Sequence, residues 1–141
     1  MSIAGIKVTK QALEDYDAVK RGKQYRFLVL NLTDDDKFVD TMEKADREAS
    51  YEDMLQLLPE KEARFVVFDL EYTFEDSGVE REASKLLLIF WCPNGTKVRQ
   101  KMMFASTLKE LQSQFQGISK TIQATDASEV DRTGIIADLQ K

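Results

Sequence analysis

The sequence predicts an α/β domain of the mixed α+β kind, with a central mixed sheet of about five strands and helices on both faces. Three observations lead there. Stretches in the middle of the chain either alternate polar with apolar residues or run continuously apolar, rich in branched and aromatic side chains. Stretches with apolar residues every three or four positions lie before, between and after them. The length, 141 residues, suits one domain and can bury roughly two thirds of its unfolded surface in a single core. A single domain over residues 1–141 is therefore expected, with residues 1–8 as a flexible N-terminal tail.

Taken in order, Ala12, Leu13, Tyr16 and Val19 share one face at helical spacing, and Gly22 follows Lys20 and Arg21 as a stop signal. Residues 25–32 are aromatic and branched and end at the acidic turn Asp34-Asp35-Asp36, so they predict a strand paired in a hairpin with a weaker one over 38–43. Ser50 with Asp53 three residues on forms a capping box, and Tyr51, Met54, Leu55 and Leu58 face one way until Pro59, which predicts a short helix. Phe68, Leu70, Tyr72 and Phe74 alternate with Asp69, Glu71 and Thr73, as in a strand with one wet face. Residues 86–91 are continuously apolar and predict a strand covered on both sides. These two strands should build the centre of the sheet, with the polar residues 75–83 as a projecting loop between them.

Pro93-Asn94-Gly95 breaks the second of those strands. Val98, Met102, Ala105, Leu108, Leu111 and Phe115 then predict a long amphipathic helix ended by Gly117, and residues 118–124 a short strand. Ser128 with Asp131 predicts the start of a last helix whose core face is Val130, Ile135 and Leu139.

Composition narrows the function. Hydrophobic residues at 43% and charged residues at 32%, with no low-complexity block, describe a globular chain. The absence of His removes the commonest general base and zinc ligand, so catalysis has little to start from. A single cysteine, Cys92, cannot close an internal disulfide, and neither a signal peptide nor a membrane span is expected, which points to the cytoplasm. A net charge of −5 argues against a nucleic-acid binder. The charge is unevenly spread: residues 34–53 are strongly acidic, whereas residues 92–109 carry Lys97, Arg99, Lys101 and Lys109 and no acid. A basic segment on an acidic protein suits contact with an acidic partner.

Several motifs lead nowhere. Asp34 and Asp36 start a calcium-loop pattern but lack its Gly and its twelfth-position Glu, so no metal is expected, and no Gly-rich loop implies a nucleotide cofactor. Asn31-Leu32-Thr33 and Asn94-Gly95-Thr96 match the glycosylation triplet without a secretory signal. An enzyme would have to rest on the carboxylates Asp69 and Glu71, which share a strand face and read more simply as solvated side chains.

Ala4-Gly5-Ile6, Tyr25-Arg26-Phe27, residues 68–72, Trp91-Cys92-Pro93, residues 98–102 and Phe104-Ala105-Ser106 together resemble the actin-depolymerising factor/cofilin family, in order and spacing, along nearly the whole chain. The resemblance implies a gelsolin-like ADF-homology domain, without enzymatic activity, that binds actin monomers and filaments, prefers the ADP form, and promotes severing and depolymerisation. It implies a monomer site at the tail and the start of the long helix: Ser2, Ala4, Gly5, Arg99, Lys101, Met102 and Ser106. It implies a filament site in the loop and last helix, here Arg81, Lys85 and the position of Asp138. Phosphoinositides are candidate competitors for the basic segment, and the protein is expected to be a monomer.

The chain also departs from that pattern. Ala4 stands where members often carry a phosphorylatable Ser, leaving Ser2 nearby. Ala137 and Asp138 in the last helix, and Gln112 and Ser113 in the long one, stand where basic residues are common, which predicts weakened filament binding. A coactosin-like protein that does not sever is the alternative within the same fold.

Overall fold

A computed structural model describes residues 5–140, with the chain folded around a six-stranded sheet in the order β1-β3-β2-β4-β5-β6. The elements are β1 Lys7–Val8, α1 Lys10–Lys20, β2 Tyr25–Leu32, β3 Phe38–Asp46, α2 Tyr51–Leu55, β4 Arg64–Asp76, β5 Val79–Trp91, α3 Val98–Gln114, β6 Lys120–Ala124 and α4 Arg132–Leu139. The sheet has one strand more than expected because part of the tail is ordered: Lys7 and Val8 pair in parallel with Phe38 and Val39. Its centre falls between β2 and β4, with β5 beside them. β2–β3, β2–β4 and β4–β5 are antiparallel, while β6 runs parallel to β5.

Side-chain alternation gives the sheet two covered faces. Leu28, Leu30, Phe65, Val67, Leu88 and Phe90 point towards α1 and α3, where Tyr16 stacks on Phe115 with ring centroids 4.4 Å apart. Phe27, Val29, Val66, Phe68, Leu87 and Ile89 point the other way, towards α2 and α4. Arg64 to Leu70 is buried throughout, so β4 lacks the wet face its alternation predicted until it passes Leu70. Asp69 is fully buried, not solvated: it accepts hydrogen bonds from Lys23 at 2.9 Å, Arg47 at 2.9 Å and Ser84 at 2.7 Å.

Local signals account for several boundaries. The capping box at α2 is complete, with Ser50 and Asp53 each bonding the other's backbone N–H. Gly22 follows α1, yet the left-handed residue there is Lys23, at φ 52°. Gly22 is needed for closeness instead, since a Cβ would lie 3.2 Å from the Ala18 carbonyl oxygen. The last helix is capped by Asp131, not Ser128; a 3-10 turn over Ala127–Val130, capped by Asp126, comes first.

The largest correction concerns residues 75–83. Instead of a loop, β4 and β5 stay paired from Arg64↔Trp91 to Asp76↔Val79 and reverse through Ser77 and Gly78, both at positive φ as a two-residue hairpin turn requires. β2 pairs with β4 only up to Phe68, and β6 with β5 only from Leu87 onward. The remainder is a two-stranded ribbon that leaves the sheet: Leu70 and Tyr72 at its base still pack on the α2/α4 side, and the polarity of residues 75–82 reflects solvent on both faces.

Candidate functional site

Two surfaces carry the residues singled out from the sequence, and they lie on opposite faces of the sheet. The first is the start of α3. Asn94 and Gly95 let the chain turn, with the Thr96 N–H donating to the Pro93 carbonyl at 3.0 Å, and the helix then begins at Val98 without a side-chain cap. Gln100 anchors it to the sheet by accepting the Ala63 N–H at 2.8 Å. The buried side of α3 is Met103, Phe104, Thr107, Leu108 and Leu111.

The predicted core stripe therefore fails at its beginning. Val98 is 71% exposed and Met102 53%, whereas Met103 is 7% exposed. The stripe's five steps span 17 residues, and at about 100° per residue they carry Val98 about 100° away from Phe115 around the helix. Met102 is thus a surface residue, and Met103, which lies off the predicted stripe, belongs to the core. Ala105 is exposed beside Met102, and the half-buried Ser106 donates its hydroxyl to the Met103 carbonyl at 3.0 Å.

The outcome at the helix start is an exposed apolar patch of Val98 and Met102 flanked by Lys97, Arg99 and Lys101. β1 packs beside α3 and brings the exposed Gly5 to the same end of the molecule. Ser2 and Ala4 lie outside the described residues. The structure also supplies a residue that the sequence placed in an acidic turn and set aside as a calcium ligand: Asp36 meets Arg99, with Asp36 Oδ2 3.2 Å from Arg99 Nη2. The pair spans 63 sequence positions, so no local pattern could have revealed it.

The second surface is on the ribbon and faces the α2/α4 side. Arg81 and Lys85 sit on the same side of β5, opposite Phe74 and Leu70 respectively. Arg81 is engaged, with Nε 3.0 Å from Asp76 Oδ2 across the turn. Lys85 is half-buried and lines a groove of about 710 Å³ with Tyr72, Phe74, Asp76 and Leu139. Asp138 is exposed on α4, one residue from the groove. Glu75, Glu80 and Glu82 are exposed along the ribbon, so the surface is acidic around its two cations.

Asp69 and Glu71, the pair an enzyme would have needed, are tied into this architecture. Arg47 bridges both carboxylates, Arg26 bonds Glu71 Oε1 at 2.6 Å, and Arg26 and Arg132 donate to the backbone carbonyls of Asp69 and Glu71. Burial pushes the Asp69 carboxyl up, but hydrogen bonds from Lys23, Ser84 and Arg47 outweigh it and hold the group below the usual carboxylate value. It is a structural anion. Among the described residues, no helix is long and apolar enough to cross a membrane.

Comparison with known proteins agrees with this architecture. The family model of cofilin/tropomyosin-type actin-binding proteins matches residues 5–140. Actophorin of Entamoeba histolytica is 34% identical over 138 residues, covering 98% of this chain and 97% of its own length. Cofilin of Schizosaccharomyces pombe is 35% identical over 130 residues, covering 92% and 91%. Among solved structures, Streptomyces griseoflavus cofilin superposes with a TM-score of 0.85 at 30% identity, covering 96% of this chain and 97% of that one. Human coactosin-like protein shares the fold at 19% identity and a TM-score of 0.74, covering 96% and 88%. With whole-length matches of this kind and the ADF-homology fold in place, the chain belongs to the cofilin/ADF family of actin-binding proteins.

Proposed function

We propose that this protein binds actin monomers, with preference for the ADP form, through the exposed start of α3, with the N-terminal segment of Ser2, Ala4 and Gly5 alongside. The observation that carries the reading is the outward-facing Val98 and Met102 between Arg99 and Lys101. A methionine and a valine left in water offer a soft apolar anchor, and the flanking cations steer an acidic partner. Ser106, half-buried one turn further on, extends the same contact.

Filament engagement requires a second contact on a neighbouring subunit, for which the ribbon and α4 are the available surface. There Arg81 is held by Asp76, Lys85 stands among acidic residues, and Asp138 adds no cation. Filament decoration is therefore weak, and the protein acts chiefly by promoting depolymerisation, with severing where it does bind.

The test is a titration of fluorescently labelled ADP-actin and ATP-actin monomers beside cosedimentation with filaments at physiological salt. Micromolar or tighter monomer binding, stronger for the ADP form, with substoichiometric pelleting, is expected. No monomer binding at tens of micromolar overturns the α3 assignment. Stoichiometric pelleting overturns the weak-filament part, and filament microscopy then separates a severing protein from a coactosin-like side binder.

A further inference from the structure

The contact between Asp36 and Arg99 adds a control on the α3 surface. The turn between β2 and β3 is stiffened by its own hydrogen bonds and does not depend on Arg99 for its shape. The Asp36 N–H donates to the Thr33 carbonyl at 2.8 Å, and the Thr33 N–H to the Phe38 carbonyl at 2.8 Å. Asp35 accepts from the Thr33 hydroxyl at 2.6 Å and from the Lys37 N–H at 3.1 Å. Asp36 is thereby presented at φ 59° towards α3, where its carboxylate meets the Arg99 guanidinium. Turn and helix start together line a groove of about 300 Å³ whose walls are Asn31, Thr33, Asp34 and Asp36 on one side and Lys97 and Arg99 on the other.

We propose that Asp36 is an internal competitor for the partner's carboxylates: it occupies Arg99 in the free protein and must give it up when an acidic surface docks on α3. The pair is suited to exchange, since the side chains of Arg99 and Asp36 are 73% and 40% exposed, and an ion pair so wet is weak enough to be replaced. Asp36 also places a negative charge at the rim that the partner's acidic groups must approach. Both effects lower affinity for an acidic partner and leave folding almost untouched. The inference rests on the reading of the α3 start as the actin contact.

Asp36→Asn is the informative substitution, because asparagine tolerates the left-handed backbone that alanine would strain. Asp34→Asn removes the same charge from the same groove, and Asp34 takes no part in the pair with Arg99. Titrated into labelled ADP-actin monomers at low salt, Asp36→Asn should tighten binding about 3–5-fold and Asp34→Asn by less than about 2-fold. In an Arg99→Gln background, itself weaker, Asp36→Asn should gain no more than Asp34→Asn does. The gain should shrink as salt rises.

Equal gains from Asp34→Asn and Asp36→Asn, or a gain that persists at full size with Arg99→Gln, would overturn competition in favour of net charge. If Arg99→Gln weakens binding while Asp36→Asn changes nothing, the competitor is refuted and the α3 site stands. If Arg99→Gln itself has no effect, both fall.

Discussion

Two neighbouring methionines separate the proposed recognition face of α3 from its packing face. Met102 is 53% exposed and Met103 7%, although they are adjacent and chemically identical. Fully burying a methionine side chain is worth about 1.5–3 kcal/mol, and Met102 leaves about half of that for a partner to gain. Met102→Ala should therefore weaken binding to monomeric actin by about 0.8–1.5 kcal/mol, roughly 4–12-fold in Kd. Its folding stability should move by less than about 0.5 kcal/mol, as at other surface positions.

Met103→Ala should do the reverse. Met103 belongs to the cluster formed with Phe65, Phe90 and Phe104 on the α1/α3 side of the sheet, and truncation leaves a cavity there costing about 2–4 kcal/mol. With a urea m-value of about 2 kcal/mol/M, the unfolding midpoint falls by about 1–2 M. The folded molecules should bind actin with nearly the original affinity. Urea denaturation and actin titration on the same preparations check both statements. A stable Met103→Ala protein with lost actin binding, beside an unaffected Met102→Ala, would refute the assignment of the two faces.

Three other outcomes are expected. Reversing Arg99 and Lys101 to Glu should weaken monomer binding by roughly 2 kcal/mol or more without unfolding the domain, measured by titration with circular dichroism as the folding control. Asp69→Asn should cost about 2–3 kcal/mol of stability at pH 7, less than a fully buried pair because Lys23 and Arg47 remain partly exposed. The Asp69 carboxyl is held below its ordinary value when folded, so its contribution is complete above the unfolded value of about 4 and is lost as pH falls through the folded one. The gap between wild type and Asp69→Asn should accordingly be full at neutral pH and narrow as pH falls below the unfolded value of about 4 in isothermal denaturation, and a constant gap would exonerate Asp69. Lysine at Gln112 and Asp138 should raise the fraction pelleting with filaments, and the gain should fall with salt, as read in a cosedimentation series.

Much of the fold was legible because it is locally encoded. The strand at Tyr25–Leu32 and the capping box at Ser50 and Asp53 depend on neighbours within a few positions. Misreadings arose where local pattern and three-dimensional context part. Ser128 and Asp131 fit a capping box, but Asp126 and Asp131 each cap a separate short helix. The alternation around Asp69 suggested water, because a buried carboxylate announces itself only through partners at Lys23, Arg47 and Ser84 that are distant in sequence. The residue types at the start of α3 were readable, yet their facing was not: adjacent stripes on a helix differ by one residue, and Met102 and Met103 fit either.

The ribbon explains how one small sheet can hold the two proposed contact surfaces apart. Residues 69–76 extend beyond the last β2 partner, a projection of roughly 26 Å at about 3.3 Å per residue. Such a strand exposes an edge of unpaired carbonyls, a template for unwanted pairing. Here Arg26 donates to the Asp69 carbonyl at 2.9 Å and Arg132 to the Glu71 carbonyl at 3.0 Å, so guanidinium groups occupy the places a neighbouring strand would take. Arg26 comes from β2 and Arg132 from the first turn of α4, so the same bonds that blunt the edge tie the ribbon's base to the sheet and to the last helix. Two cations on that side are spent on the fold, Arg132 on the edge and Arg81 on Asp76, which leaves the half-buried Lys85. At the start of α3 more is left over: Gln100 and Ser106 do the carbonyl and amide work and Asp36 engages Arg99, while Lys97 and Lys101 are uncommitted to any ion pair among the described residues. The proposed asymmetry between a stronger monomer surface and a weaker filament surface is in keeping with which side chains the fold consumes to hold itself together.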